Sequence, residues 1–199
     1  MSKDVAVLMG GWSSERDVSL VSGAAVAEAL RRAGYTVRAI DVGRDMNALM
    51  GALRPRPDAV FNALHGRFGE DGCIQGLLDI LAIPYTHSGV LASALAMDKP
   101  MAKHLFAAAG IPCAEHVLVD RATAFAGQAM DPPYVIKPMN EGSSVGVHII
   151  LKNEDLARVR PENMPAADRV MVERYVPGRE ITVAVMGERA LAVTEIRPR

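Results

Sequence analysis

The sequence has little of what marks a secreted, membrane-spanning or nucleic-acid-binding chain. Cysteine is scarce: Cys73 and Cys113 are the only two in 199 residues. They stand far apart, match no metal-ligand spacing and make too thin a disulfide framework for an extracellular protein, so they read as ordinary buried or reduced thiols. Charge of one sign is also lacking. With 22 basic and 23 acidic side chains the formal net charge is -1, which leaves no broad positive field to hold a nucleic-acid backbone or an anionic membrane surface. No apolar run approaches the ~20 residues of a membrane span. The first one, Val5 to Met9, is too short for a signal-peptide core and ends at Gly10-Gly11. Internal repeats and low-complexity tracts are absent. The expectation is a cytoplasmic protein that works on small molecules, with no nucleic-acid or membrane partner.

What is present is a core. Hydrophobic residues make up 50% of the chain, and the length suits one large domain or two small ones. Val5 to Met9 reads as a buried strand, and Arg16 to Ala33 carries apolar residues at helical spacing and closes at Gly34. Tyr35 to Ile40 is a second strand, Met46 to Leu53 a short helix, and Asp58 to Ala63 a third strand. Strands alternating with helices predict a mostly parallel, Rossmann-like sheet in an α/β unit. Further helices are expected over Ile74 to Ala82, after a cap at Ser88, and from a cap at Asp98 to Ala109, with a brief strand over Ile83 to Thr86. Pro100 fits the first turn of the last helix. Gly110-Ile111-Pro112 is a candidate hinge.

Beyond it the pattern changes. Tyr134 to Lys137, Val147 to Leu151, Val170 to Tyr175, Ile181 to Met186 and Leu191 to Ile196 read as strands, several adjacent in sequence, which predicts a largely antiparallel sheet with few helices. The domains are expected to be residues 1–98 and 99–199, an α/β unit followed by an α+β unit.

Four segments carry candidate chemistry. Lys137 opens the small-residue loop Pro138-Met139-Asn140-Glu141-Gly142-Ser143-Ser144-Val145-Gly146. Such a loop can turn backbone N–H groups and hydroxyls toward one anion, beside a lysine that offsets its charge. By itself the loop equally suits a plain hairpin turn. Glu173-Arg174-Tyr175-Val176 to Glu180 places carboxylates at both ends of a strand connection, where one could accept an adenine amine and the other hold ribose hydroxyls; alone, such carboxylates are more often solvated strand ends. Loop 10–19 leaves the first strand at the carboxyl edge of a parallel sheet, where ligands bind. There Glu15 can meet an amine or merely complement the dipole of the following helix. Loop 63–72 packs three glycines around His65, Arg67, Glu70 and Asp71, and its imidazole can donate to a carboxylate or phosphate.

Leu8-Met9-Gly10-Gly11, Ser14-Glu15-Arg16, Leu64-His65-Gly66 with Gly69-Glu70-Asp71-Gly72, Tyr85-Thr86, Met97-Asp98-Lys99 and Glu141-Gly142-Ser143-Ser144-Val145-Gly146 run in order through the chain. Together they resemble the D-alanine:D-alanine ligase family. The resemblance implies an ATP-grasp enzyme of peptidoglycan synthesis, its parallel-sheet pre-ATP-grasp domain followed by a partial ATP-grasp domain. It implies two D-alanine substrates, ATP, magnesium and a homodimer. By motif, Glu15 would anchor the first D-alanine's amine, Ser143 would join a network with Glu15, and His65 would face the reacting carboxylate. Lys99, Lys137, Ser144 and Val145 would hold the ATP phosphates, and Glu173, Tyr175, Val176 and Glu180 the adenosine. No carboxylate matches the family's magnesium ligands, which are expected beyond Arg199. The expectation is therefore a shortened ligase, inactive alone. The alternatives are another ATP-grasp carboxylate-amine ligase and a non-catalytic binding or pairing module.

Overall fold

The computed structural model describes residues 2–165 and 167–197. Strand β1 (Asp4–Gly10) lies at the centre of a three-stranded parallel sheet, with β2 (Thr36–Val42) on one side and β3 (Ala59–Asn62) on the other. Its apolar run is buried because both faces are covered: Ala6 and Leu8 point into one cluster with Val60, Leu64 and Leu78, while Val7 joins Ala27 and Ala63 in another. This is the near-continuous hydrophobic strand that a parallel sheet requires.

Helix α1 (Arg16–Arg32) crosses behind β1, and the close approach is made at Gly23. A methyl group there would overlap the Met9 side chain. Gly23→Ala gains about 1 kcal/mol of helix propensity but forces overpacking that costs about 1–3 kcal/mol. A net loss of stability is expected, read as a lower urea midpoint at unchanged m-value.

Helix α2 (Met46–Ala52) is capped by Asp45, whose side chain accepts from the Asn47 and Ala48 amides. After β3 come α3 (Cys73–Ile80), α4 (Val90–Met97) and α5 (Lys99–Ala108). Asp98 caps α5 as the sequence indicates, its carboxylate accepting from the Met101 amide at 2.9 Å. Two local expectations need correction. Ile83 to Thr86 is not a strand but a single bridge, Val60 to Tyr85, because Ala82 at φ 53° turns the chain sharply before it. The N-cap of α4 is Gly89 rather than Ser88, which instead gives its carbonyl to Ser93 Oγ. The cysteines are both free, and both are exposed rather than buried.

The second unit has a four-stranded antiparallel sheet in the order β4-β7-β5-β6, formed by β4 (His116–Asp120), β5 (Tyr134–Lys137), β6 (His148–Ile150) and β7 (Arg169–Arg174). Tyr134, Ile136, Ile150, Val170 and Val172 fill its core with Ala124 of a short helix, α6 (Arg121–Phe125). Neither β4 nor α6 is expected from the sequence reading. A separate hairpin pairs β8 (Glu180–Met186) with β9 (Arg189–Ile196). Its apolar residues, among them Ile181, Val183, Val185 and Val193, are exposed.

Candidate active site

Two loops leave the carboxyl ends of β1 and β3 side by side, and hydroxyl groups staple them together. Ser13 Oγ donates to the His65 carbonyl at 2.8 Å and accepts from the Glu15 amide at 3.2 Å. Deeper down, Ser19 Oγ donates to the Ala63 carbonyl at 2.6 Å while accepting from the Gly10 amide at 2.9 Å. Arg16 clamps the base of the first loop, donating to the Gly11 carbonyl and, through two N–H groups, to both oxygens of Asp41. That bidentate pair holds the Asp41 carboxyl below its usual range.

The staples fix Glu15 at the N-terminus of α1, where it is only 5% exposed. Its Oε2 is buried and accepts no hydrogen bond from any described residue. Two glycines make room for it: a methyl group on Gly66 would come within 2.6 Å of Oε2, and one on Gly142 within 3.2 Å. A carboxylate oxygen buried without a donor is costly, so its retention between two glycine loops marks a place for a donor brought by a ligand.

The β3 loop is rigid for a reason the sequence hides. Asn62 Nδ2 and Gln75 Nε2 both donate to the Gly69 carbonyl, at 2.8 and 2.9 Å, and both residues are buried. Glu70 and Asp71 accept from the Gly66, Phe68 and Cys73 amides within the turn. His65 is thereby presented with its Nε2 3.0 Å from Ser22 Oγ on α1 and its Nδ1 3.7 Å from a Glu70 oxygen.

Across from these loops lies a cluster of lysines. Glu173, near the end of β7, accepts from Lys137 on β5 through one oxygen and from Lys103 on α5 through the other. Lys103 also donates to the Ala114 carbonyl at 2.6 Å. All three side chains are largely buried. Burial pushes the Glu173 carboxyl up, but the two lysine hydrogen bonds and charges outweigh it and hold the group below its usual range. Lys99 bonds instead to the loop, its ammonium to the Glu141 carbonyl and its amide to the Met139 carbonyl. Burial first, and the neighbouring Lys137 second, push Lys99 below its usual value.

The glycine-serine loop between β5 and β6 bends through Ser143 and Ser144, at φ 47° and 60°. Left-handed backbone at two successive non-glycine residues is strained. Short turns from Gly142 to Val145 and from Ser144 to Val147 hold it. Both serines are exposed, and Gly142, next to Ser143, faces the Glu15 carboxylate. Tyr175, Val176 and Glu180 line a cleft of about 770 Å³ together with Glu173, closed on its other side by Glu195, Ile196 and Arg197. The structure thus brings the four expected adenosine residues to one cleft and sets Lys137 at its edge through Glu173. Lys103 was missed, although it stands one helical turn after Lys99 on the same face of α5, a spacing that could have found it. Ser22, Asn62 and Gln75 give no comparable signal.

A parallel-sheet unit that buries a lone carboxylate at its strand ends, facing an antiparallel sheet whose small-residue loop covers convergent lysines, defines the ATP-grasp ligase architecture. Residues 47–88 match the family model described as D-ala D-ala ligase N-terminus, and residues 105–199 the one described as D-ala D-ala ligase C-terminus. The chain is 61% identical over 197 residues to the D-alanine–D-alanine ligase of Rhodospirillum rubrum, covering 98% of this chain and 65% of that protein. Its fold is similar to the crystal structure of the Bacillus anthracis D-alanine–D-alanine ligase, with a TM-score of 0.81 and 30% identity over 98% of this chain and 65% of the other. It is equally similar, at 0.81 and 29%, to the same enzyme complexed with ATP, over 99% and 64%. The chain belongs to the D-alanine–D-alanine ligase family, and it spans about 65% of the length of these relatives. No helix among the described residues is long and apolar enough to cross a membrane.

Proposed function

We propose that this chain carries the amine-binding and nucleotide-binding parts of a ligase that joins two D-alanine molecules at the expense of ATP, for peptidoglycan synthesis in the cytoplasm. The observation that carries the reading is the buried, unpartnered Oε2 of Glu15 between Gly66 and Gly142. An ammonium supplies the missing donors and the compensating charge together, which a neutral ligand does not.

In this reading the γ-phosphoryl group of ATP passes to the carboxylate of the first D-alanine, releasing ADP. The amine of the second then attacks the acyl carbon, loses a proton, and the C–O bond to phosphate breaks. Glu15 positions the first amine. His65, braced by Ser22, faces the carboxylate that is phosphorylated. An ammonium has three N–H donors. Lys137 spends one on Glu173 and keeps two for phosphate oxygens, and Lys99 stands behind the loop whose Ser144 turns over the same phosphates, the Val145 amide being taken by the Gly142 carbonyl. Tyr175, Val176 and Glu180 take the adenosine. Phosphoryl transfer depends chiefly on this kind of positioning and charge neutralisation. The division at Asp98–Lys99 separates the amine-holding from the nucleotide-holding residues, and a homodimer completes the proposal. Among the described residues no group of three or more His, Cys, Asp or Glu is arranged to hold a metal ion, so the residues present do not by themselves fit magnesium.

The test is calorimetric titration of the purified chain with D-alanine and with ATP, together with D-alanine-dependent phosphate release. D-Alanine binding that disappears in Glu15→Gln, and ATP binding that weakens at least about tenfold in Lys137→Ala, are the expected results. D-Alanine binding indifferent to Glu15→Gln would overturn the reading.

A further inference from the structure

The first unit contains a second concavity that neither Glu15 nor any of the lysines lines. It is a cavity of about 380 Å³ beside the two strand-end loops, lined by the Trp12 and Phe68 rings and by Leu64, Ile74 and Leu77. The volume is at the low end for sites that enclose a small organic ligand. It is too small for a nucleotide and too apolar for free phosphate.

Its rim has one sign of charge. Arg44 stands with its guanidinium carbon 5.5 Å from the centre of the Trp12 ring, and Arg67 with its own 4.9 Å from the centre of Phe68. The two rings lie against each other at 5.1 Å. A guanidinium stacked on a ring by its face keeps its edge N–H groups free for an oxyanion. Neither arginine takes part in an ion pair among the described residues. An apolar pocket with two unpaired guanidinia at its mouth is complementary to an anion with an apolar body.

We propose that this cavity is a binding site for a small apolar carboxylate, with a body of on the order of six to ten carbon atoms seated on Leu64, Ile74 and Leu77 and its carboxylate held by Arg44 and Arg67. The site is coupled to the candidate active site by construction. Trp12 belongs to the loop that presents Glu15, and His65 lines the cavity wall. A ligand here fixes both loops in the arrangement that Ser13 staples.

The cavity carries its own reporter, because Trp12 is the only tryptophan in the chain. The experiment is titration of the full chain with cyclohexanecarboxylate, followed by tryptophan fluorescence and by calorimetry, with cyclohexylmethanol as the neutral counterpart. Saturable binding of the acid, at least about tenfold tighter than the alcohol, is expected. That preference should vanish in the Arg44→Ala, Arg67→Ala double variant. Cys73→Phe, which fills the cavity from the exposed first turn of α3, should abolish binding while circular dichroism shows the fold intact. Absence of saturable binding, equal affinity for acid and alcohol, retention of binding in folded Cys73→Phe, or retention of the preference in the double arginine variant would each overturn the proposal. So would displacement of the acid by D-alanine, which would place the probe beside Glu15 instead.

Discussion

Glu15→Met is expected to raise the thermal midpoint of the protein while abolishing its response to D-alanine. The wild-type side chain leaves Oε2 buried with no donor, a deficit of about 1–3 kcal/mol for a polar group. The opposing term is smaller, since a carboxylate at the N-terminus of α1 gains about 0.3–1 kcal/mol from the helix dipole. Methionine has nearly the same shape and needs no donor. The balance favours the variant by about 1–2 kcal/mol, which for a domain of this size corresponds to about 2–8 °C. Scanning calorimetry of both proteins with and without D-alanine gives the answer. The amino acid should stabilise the wild type and leave Glu15→Met unmoved. A destabilised variant would mean that Glu15 is a structural carboxylate whose partner the fold supplies.

Glu173→Gln should be the most damaging single change in the second unit. Lys103, Lys137 and Glu173 have side chains only 11%, 20% and 15% exposed, so water does little to screen the two ammonium groups from each other once the carboxylate is gone. Breaking a buried charge cluster by removing one member costs about 3–5 kcal/mol, and chemical denaturation should show a loss of that order. Restoring balance by removing a cation as well, in Lys103→Met with Glu173→Gln, should recover part of it. The pH dependence has a definite sign. Because Glu173 is held below the ordinary carboxylate value, the unfolded chain binds its proton more readily than the folded one. The stabilisation is therefore complete above the unfolded value and is lost as pH falls through the folded one. Glu173→Gln should lack that part of the acid-side slope, and an unchanged slope would show that the cluster contributes nothing through this carboxylate.

Glu173 also shows where sequence reading reached its limit. Its position at the end of a strand, seven residues before Glu180, was legible, and the structure puts both beside Tyr175 and Val176. Its bonds to Lys103 and Lys137 were not, because they join β7 to a helix and a strand that are 70 and 36 residues away. The parallel sheet was readable because strands buried on both faces leave unbroken apolar runs such as Val5 to Leu8. Strand β4 was not, since His116 to Val119 are all half-buried with no alternation, Asp120 is exposed, and the strand follows the loop that ends the previous helix. Glu15 could be chosen from its place after β1, but that its oxygen lacks a donor depends on Gly66 and Gly142 arriving from two other loops. What periodicity and spacing encode is local. Charge clusters and unpartnered atoms are set by the pairing of distant segments.

The bonds that Lys99 makes have a mechanical consequence. Its amide and ammonium bind the Met139 and Glu141 carbonyls of the glycine-serine loop, and Asn140 between them donates to Asp98, so this loop, a flap, and the first turn of α5 form one rigid lever. Rotation of the β4–β7 sheet cannot lift the flap alone. It must either rupture this latch or swing α5 with it, and the pivot then moves to the ends of the helix, to Met97–Asp98 on one side and Gly110 on the other.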